Sequence, residues 1–378
     1  MMAPPAVALG VRLRVLAEDP GDSAAQVIPD VSIGDPRDLT ALRAFAAGCD
    51  VLTFDHEHVP TEHLRALEAE GVAVRPGSAA LVHGQDKIVM RERLASIGVP
   101  VPRWARVADA ADLERFLAAE PGRAGILKTA RGGYDGKGVR LVRGAADADD
   151  WLGGPVELLV EEVVPFTREL AVLVARSPSG QAVVYPVVES VQVGGVCREV
   201  YAPAPGIAEE HALAAQEAAL RIAGSLEVVG LMAVELFDTA DGVLVNELAL
   251  RPHNTGHWTI DGAVTSQFEQ HLRAVLDLPL GSPAAVSAAS VMVNVLGGDL
   301  PFLYPAYLHC MARDPALKIH VYGKTVRPGR KVGHVTVVAA AGGADAGSLL
   351  ARARHAAEYL RGDTDGDTDG DIDGETEG

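Results

Sequence analysis

Short apolar runs set off by turn residues alternate, along the first third of the chain, with stretches whose apolar residues recur every three to four positions. Val11 to Leu16 reads as a buried strand, Ala41 to Ala47 as an amphipathic helix, and Asp50 to Phe54 as a second strand. A helix over Glu62 to Glu70 and a short strand at Val72 to Val74 continue this α/β alternation as far as Pro76-Gly77. Ahead of it, Met1 to Gly10 ends in glycine like a helix terminus but has no N-cap and no strand feeding it, so the pattern is expected to open in mid-unit. The charged amphipathic stretch Asp86 to Ser96, closed by Gly98, predicts a further helix, and a first boundary is expected near residue 82.

Beyond Gly125 the pattern becomes β-rich. Gly125 to Lys128, Val139 to Val142, Glu157 to Glu161, Leu170 to Ala175 and Ala182 to Val188 read as strands between turns, and His211 to Ala223 as a helix. Such a segment is α+β rather than doubly wound. Strands at Ser290 to Val295, Ile319 to Val321 and Gly333 to Ala339, then a helix from Ser348 to Leu360, predict a small C-terminal domain. The expected division is 1–82, 83–280, 281–361 and a tail, 362–378, whose Asp-Thr-Asp-Gly repeat is too polar to pack and predicts disorder. Its Asp-x-Asp spacing resembles a calcium loop only weakly, because no helix-flanked glutamate stands at the twelfth position.

Composition narrows the function. The 378 residues, 48% hydrophobic, suffice for two to three domains. No apolar run reaches about 18 residues and no signal-peptide layout opens the chain, so a membrane span and secretion are not expected and the cytoplasm is the default location. Cys49, Cys197 and Cys310 are too scattered for a disulfide or zinc reading. Of the net charge of −18, the last sixteen residues carry −8, and the remaining −10 still disfavours nucleic acid as a partner.

Three stretches carry candidate chemistry. Lys128 to Gly138 (KTARGGYDGKG) is a strand ending in lysine followed by four glycines within seven residues, a loop able to fold N–H groups over phosphates; a flexible hairpin turn is the alternative. It is not a Walker A motif, and Gly323-Lys324-Thr325 fails as one because position 318 is lysine. Leu231 to Phe237 and Val243 to Leu248 flank a turn at Thr239 to Gly242 and read as a β-hairpin. If pairing centres on Asp241, Glu235 and Glu247 face each other about 5 Å apart, which calls for a cation between them or one raised pKa. A register shifted by one residue would separate them. Asn246 to Trp258 is dense in polar groups after a strand, as functional loops are. Lys324, Arg327, Arg330 and Lys331 form a basic cluster suited to a phosphate, or simply a solvated loop.

Taken together, Thr53 to Pro60 (TFDHEHVP), Gly132 to Gly138 (GGYDGKG), Asn246 to Ala249 (NELA), His253 to Trp258 (HNTGHW) and Arg327 to His334 (RPGRKVGH) resemble the N5-carboxyaminoimidazole ribonucleotide synthases, from Met1 to about Leu360. The resemblance implies an ATP-grasp fold: a Rossmann-like pre-ATP-grasp domain, here expected to lack its first strand and glycine loop, a central ATP-grasp domain, and a small β-rich C-terminal domain. It implies ATP and Mg2+ as cofactors, bicarbonate and 5-aminoimidazole ribonucleotide as substrates, and a homodimer. By the same resemblance Lys87 and Lys128 meet the ATP phosphates, and Gly133, Tyr134, Asp135, Gly136, Lys137, Gly138 and Val139 cover them. Glu161, Glu162, Val163 and Val164 frame the adenine, Glu169 takes the ribose, and Gln192 and Asn246 line the cleft. Glu235 and Glu247 hold magnesium. Glu57, Tyr134, Arg251, His253, Lys324 and Arg330 hold the ribonucleotide, with Tyr134, Arg251, His253 and Lys324 the catalytic candidates. Leu250 departs from the proline usual before the arginine. Two rivals stand beside this expectation: another ATP-grasp purine ligase, such as the formate-dependent glycinamide ribonucleotide transformylase, and a non-catalytic ATP-binding remnant.

Overall fold

The structure, a computed structural model, describes residues 1–133, 136–298, 300–340, 343 and 345–363. Its N-terminal part comprises α1 (Ala3–Ala8), β1 (Arg14–Ala17), β2 (Asp30–Ile33), α2 (Leu39–Ala46), α3 (Thr61–Ala69) and α4 (Ser78–Gln85). β1 and β2 pair in parallel, with Arg14 opposite Asp30. The strands expected at Asp50 to Phe54 and Val72 to Val74 shrink to one parallel bridge between Leu52 and Val74. Both side chains are buried as the pattern requires, but only the bonds Leu52 N–H to Ala73 O and Arg75 N–H to Leu52 O form beside it. Helix α4, absent from the sequence expectations, spans the boundary expected near residue 82. Directly after it Asp86 caps α5 (Lys87–Ser96), its carboxylate accepting from the N–H groups of Ile88 and Val89.

A four-stranded antiparallel sheet follows, in the order β3 (Trp104–Val107), β6 (Leu158–Glu162), β4 (Gly125–Thr129), β5 (Val139–Val142). Helix α6 (Ala110–Ala118) covers one face, burying Leu113, Phe116 and Leu117 against Leu127, Val142 and Val160.

The remaining strands build a single nine-stranded sheet. Its members are β7 (Phe166–Arg176), β8 (Ala182–Val184), β9 (Val188–Val193), β10 (Val196–Ala202), β11 (Gly230–Thr239), β12 (Gly242–Ala249), β13 (Ser290–Leu296), β14 (Lys318–Val321) and β15 (Lys331–Val338). The order runs β12-β11-β7-β9-β10-β13-β15-β14, with β8 beside β7. The one strand expected over Ala182 to Val188 is two, because Pro186 has no N–H to donate to a ladder. Helix α7 (Glu209–Ser225) packs on one face of β7 and β11. On the other lie α8 (Thr259–Gly262) and α9 (Gln267–Val275). Helices α10 (Tyr307–Arg313) and α11 (Ala346–Arg361) cover β13 and β15. The C-terminal strands are thus not a separate sheet: β13 pairs antiparallel with β10, Tyr201 opposite Val291, across the division expected at 280.

All three cysteines are free, with Cys197 and Cys310 buried. Among the described residues no helix is long and apolar enough to cross a membrane. The disorder expected of the tail falls, from residue 364 on, outside the described residues.

Candidate functional site

The cleft between the four-stranded and nine-stranded sheets gathers most of the residues singled out in the sequence. Its floor is the β11–β12 hairpin. The turn pairs Thr239 with Gly242, half a residue earlier than a centre on Asp241, and a regular ladder from there would set Asn246 opposite Glu235. Between Leu236 and Glu235 the register shifts: Leu236 faces Val245, yet Glu235 faces Glu247. Asn246 is therefore the extra residue of a β-bulge, and the two carboxylates do stand across from one another.

Their electrostatics diverge. Burial, with the charges of Glu247 and Glu169 adding to it, raises Glu235 to about 7. Burial pushes Glu247 up as well, but Lys87, whose Nζ lies 3.1 Å from Oε1, and Lys128 outweigh it and hold Glu247 below the ordinary carboxylate range. Glu169, on β7 opposite Phe237, is lifted to about 7 by burial, with Lys128 opposing and Glu247 adding. Two facing carboxylates, one of them near its titration point at neutral pH, suit a hard divalent cation.

Lys128 is the penultimate residue of β4, with its side chain almost wholly buried. Its Nζ lies 3.0 Å from Asn246 Oδ1 and 2.9 Å from Glu161 Oε2. Glu161 Oε1 in turn accepts from Arg91 Nε at 2.7 Å, and Arg91 Nη1 donates to Val245 O at 3.1 Å. Sequence reasoning missed Arg91. The signal was there: it falls three residues after Ile88 and three before Leu94, inside the buried stripe of α5, where an arginine needs a partner.

Both glutamate side chains of the segment 161–164 are engaged within the protein. The carboxylate of Glu161 is committed to two cations, and that of Glu162 accepts from Arg103 N–H at 2.7 Å. The Val163 side chain that follows them, beside Val164, is exposed.

The glycine loop connects β4 to β5, whose first residue is Val139. Thr129 N–H donates to Gly138 O, and Gly136 takes φ +76°. A Cβ at Gly136 would stand 3.2 Å from Gly194 O and Gly195 Cα in the β9–β10 turn. The loop of the smaller sheet thus reaches the hairpin of the larger one with no room for a side chain. Gly133, Gly136, Lys137 and Gly138 take part; Tyr134 and Asp135 lie outside the described residues. Gln192 stands on β9 nearby, its Nε2 donating to Ser190 Oγ at 3.0 Å.

On the far side of the hairpin, Glu57 Oε1 accepts from Leu250 N–H at 2.6 Å and Oε2 pairs with Arg251 Nε at 3.2 Å. His253 Nδ1 accepts from Thr255, and Nε2 lies 3.2 Å from Glu235 Oε1, so the neutral ring points its N–H at the carboxylate. Burial, then the charge of Arg251, keeps this imidazole well below its ordinary pKa. A second residue the sequence did not reveal, Gln267, fixes the segment. Its Oε1 accepts from His253 N–H at 2.8 Å, and its Nε2 reaches His253 O at 2.7 Å and His257 Nδ1 at 2.9 Å. Lys324 and Arg330 sit on the β14–β15 connection instead. Lys324 lies over the Tyr322 ring, Tyr322 OH bonds His334 Nδ1 at 2.8 Å, and the His334 ring stands 5.0 Å from that of His257. Arg330 donates to Thr325 O.

A buried lysine and a carboxylate-bearing hairpin brought together from two sheets, with a glycine loop that reaches from one sheet to the other, have the parts of an ATP-grasp enzyme, and residues 92–268 match the ATP-grasp domain. Residues 1–85 match the ribonucleotide synthetase preATP-grasp domain, and residues 290–344 the phosphoribosylaminoimidazole carboxylase C-terminal domain. The N5-carboxyaminoimidazole ribonucleotide synthase of Mycobacterium tuberculosis (strain ATCC 25618 / H37Rv) is 55% identical over 366 residues, 94% of this chain and 83% of that protein. The crystal structure of the corresponding synthetase from Thermus thermophilus superposes with a TM-score of 0.83 at 38% identity, covering 95% of each chain. The Aspergillus clavatus N5-carboxyaminoimidazole synthase in complex with ADP and 5-aminoimidazole ribonucleotide gives 0.82 at 30%, covering 95% of this chain and 94% of that one. The chain belongs to the N5-carboxyaminoimidazole ribonucleotide synthase family, ATP-dependent ligases of purine biosynthesis.

Proposed function

We propose that this chain carboxylates the exocyclic amine of 5-aminoimidazole ribonucleotide with bicarbonate and ATP, giving N5-carboxyaminoimidazole ribonucleotide, ADP and phosphate. The observation that carries the reading is the facing pair Glu235 and Glu247, with Lys87 and Lys128 beside it. Bicarbonate oxygen attacks the γ-phosphorus of ATP and ADP departs. The carboxyphosphate so formed splits to CO2 and phosphate, and the amine nitrogen attacks the CO2 carbon as its proton leaves.

Lys87 and Lys128 neutralise phosphate charge, while Gly133, Gly136, Lys137, Gly138 and Val139 shield carboxyphosphate from water. Glu169 takes ribose hydroxyls; the backbone of residues 161–164 lies along the adenine; Gln192 and Asn246 complete the wall. Glu57 orients Arg251, and Arg251, His253, Lys324 and Arg330 hold the ribonucleotide, the cations answering its phosphate. Tyr134 and Asp135 belong to the same reading. Glu235 and Glu247 would hold magnesium. Hard carboxylate oxygens fit it, and since no group of three or more His, Cys, Asp or Glu ligands gathers among the described residues, phosphate oxygens and water would complete its shell. When bound, it supplies charge compensation as the phosphoryl group transfers. A cytoplasmic location and a homodimer belong to the same reading, the latter checked by sedimentation equilibrium.

The test is ADP release with ATP, magnesium and bicarbonate, with and without the ribonucleotide. Turnover should depend on both bicarbonate and ribonucleotide, and Glu247→Gln should lower kcat by about a hundredfold or more. ATP binding with no ADP release under any of these conditions would sink the reading in favour of a nucleotide-binding remnant.

A further inference from the structure

We propose that Arg91 is a positioning residue that reserves the charge of Lys128 for the nucleotide by neutralising Glu161. The proposal rests on the reading that Lys128 meets ATP phosphates.

Arg91, Glu161 and Lys128 are all buried, Arg91 completely. Glu161 divides its two oxygens between the cations, Oε1 to Arg91 at 2.7 Å and Oε2 to Lys128 at 2.9 Å. Two cations share one anion, so the triad itself carries one net positive charge near the end of β4, beside the neutral Asn246 Oδ1 and within electrostatic reach of Glu247 and Glu169. Without Arg91 the same geometry would leave a closed, neutral Lys128–Glu161 pair, its ammonium occupied by a neighbour in a medium where such attraction is strong. With Arg91 taking one oxygen of Glu161, part of the Lys128 charge stays available to the cleft, where it already acts on Glu247 and Glu169 and can meet an arriving anion.

Arginine also does here what lysine cannot. Its fork donates to Glu161 on β6 and, through Nη1, to Val245 O on β12, the residue before the bulged Asn246. One side chain on α5 therefore ties the smaller sheet to the larger at the two points that flank Lys128. Glu161 is held below the ordinary carboxylate range, Lys128 and then Arg91 overriding the burial that opposes it, which accords with an anion shared by two cations.

The experiment is equilibrium binding of MgATP to the full chain, with ribonucleotide-dependent turnover and thermal midpoints recorded on the same proteins. Arg91→Met should weaken ATP binding by about tenfold or more, and adding Glu161→Gln should recover most of that loss, since the carboxylate in direct contact with Lys128 is then gone. Arg91→Lys keeps the charge and should stay within about threefold of the native affinity while losing thermal stability through the missing bond to Val245. If Arg91→Met does not fold, Arg91→Lys and the double variant carry the test. A double variant binding no better than Arg91→Met, or, where that variant is unfolded, more than about tenfold weaker than the native chain, overturns the proposal and makes Arg91 a packing residue. So does an Arg91→Lys variant that loses about tenfold or more in affinity. Lys128→Met with undiminished ATP affinity would instead overturn the role of Lys128, and a native chain without turnover would overturn the proposed reaction.

Discussion

Glu169 and Glu247 are both partly buried carboxylates of the same cleft, and their opposite shifts come from what stands beside them. Glu247 has Lys87 within 3.1 Å and is held ionised, whereas Glu169 is governed by burial and rises to about 7. A carboxylate that accepts ribose hydroxyls binds them better ionised. ADP affinity is therefore expected to climb between about pH 6 and about pH 8, and Glu169→Gln to flatten that climb. Calorimetric titration across the range checks it; an unchanged slope in the variant would remove Glu169 from the nucleotide site. At this scale the sequence showed the glycines, the lysines and the glutamate pair, because each stands in a compact motif. It hid Arg91 and Gln267. The partners of Arg91 lie 70 and 154 residues away, and no local spacing encodes a contact of that range.

Among the elements, the strand and helix expectations held where periodicity was long, as in α7, β11 and α11, and failed where a residue outside the pattern decided the outcome. Pro186 split β8 from β9. Asn246 displaced the ladder by one residue, a choice that hairpin spacing alone leaves open. α4 went unseen because its eight residues mix Gly84 and His83 into the apolar face. The glycine loop shows what such details control. Gly136 combines φ +76° with a Cβ site 3.2 Å from Gly194 O, so Gly136→Ala brings both backbone strain and a collision with the β9–β10 turn. Its expected effect is a loop that closes badly: kcat falls roughly tenfold, and phosphate release exceeds formation of the carboxylated product. Measuring both products in one assay decides; equal yields with native kcat would show that the loop does not seal the cleft.

Across the whole molecule, neutral histidines accumulate inside. Burial lowers His257 to about 3 and His271 to about 4, and places His253 and His334 well below their ordinary value. Each binds a proton readily only when unfolded, so stability is fully present above about pH 6.5 and is lost as pH falls from there toward the folded values. Glu169 and Glu235, whose folded values of about 7 exceed the unfolded one, act in the opposite sense: their contribution grows as pH falls through 7. With His58 and His83 also lowered and Glu57 also raised, six histidines against three glutamates leave a net loss toward acid. Urea midpoints are expected to drop steadily from about pH 6.5 to about pH 4.5, and His271→Asn to lessen the slope. A flat profile would mean that these rings are not buried neutral in solution.

The bulge at Asn246 separates two properties of the hairpin. In the ladder set by the turn, the position opposite Glu235 is the one Asn246 now occupies; removing that single residue would slide Glu247 into it. The facing carboxylates would survive the deletion, and the oxygen that meets Lys128 would vanish with the asparagine. In genetic terms, one inserted codon in an ordinary hairpin suffices to add an acceptor for the lysine without disturbing the acidic pair. Such an indel changes what the hairpin offers Lys128 in a single event and leaves the facing carboxylates as they were.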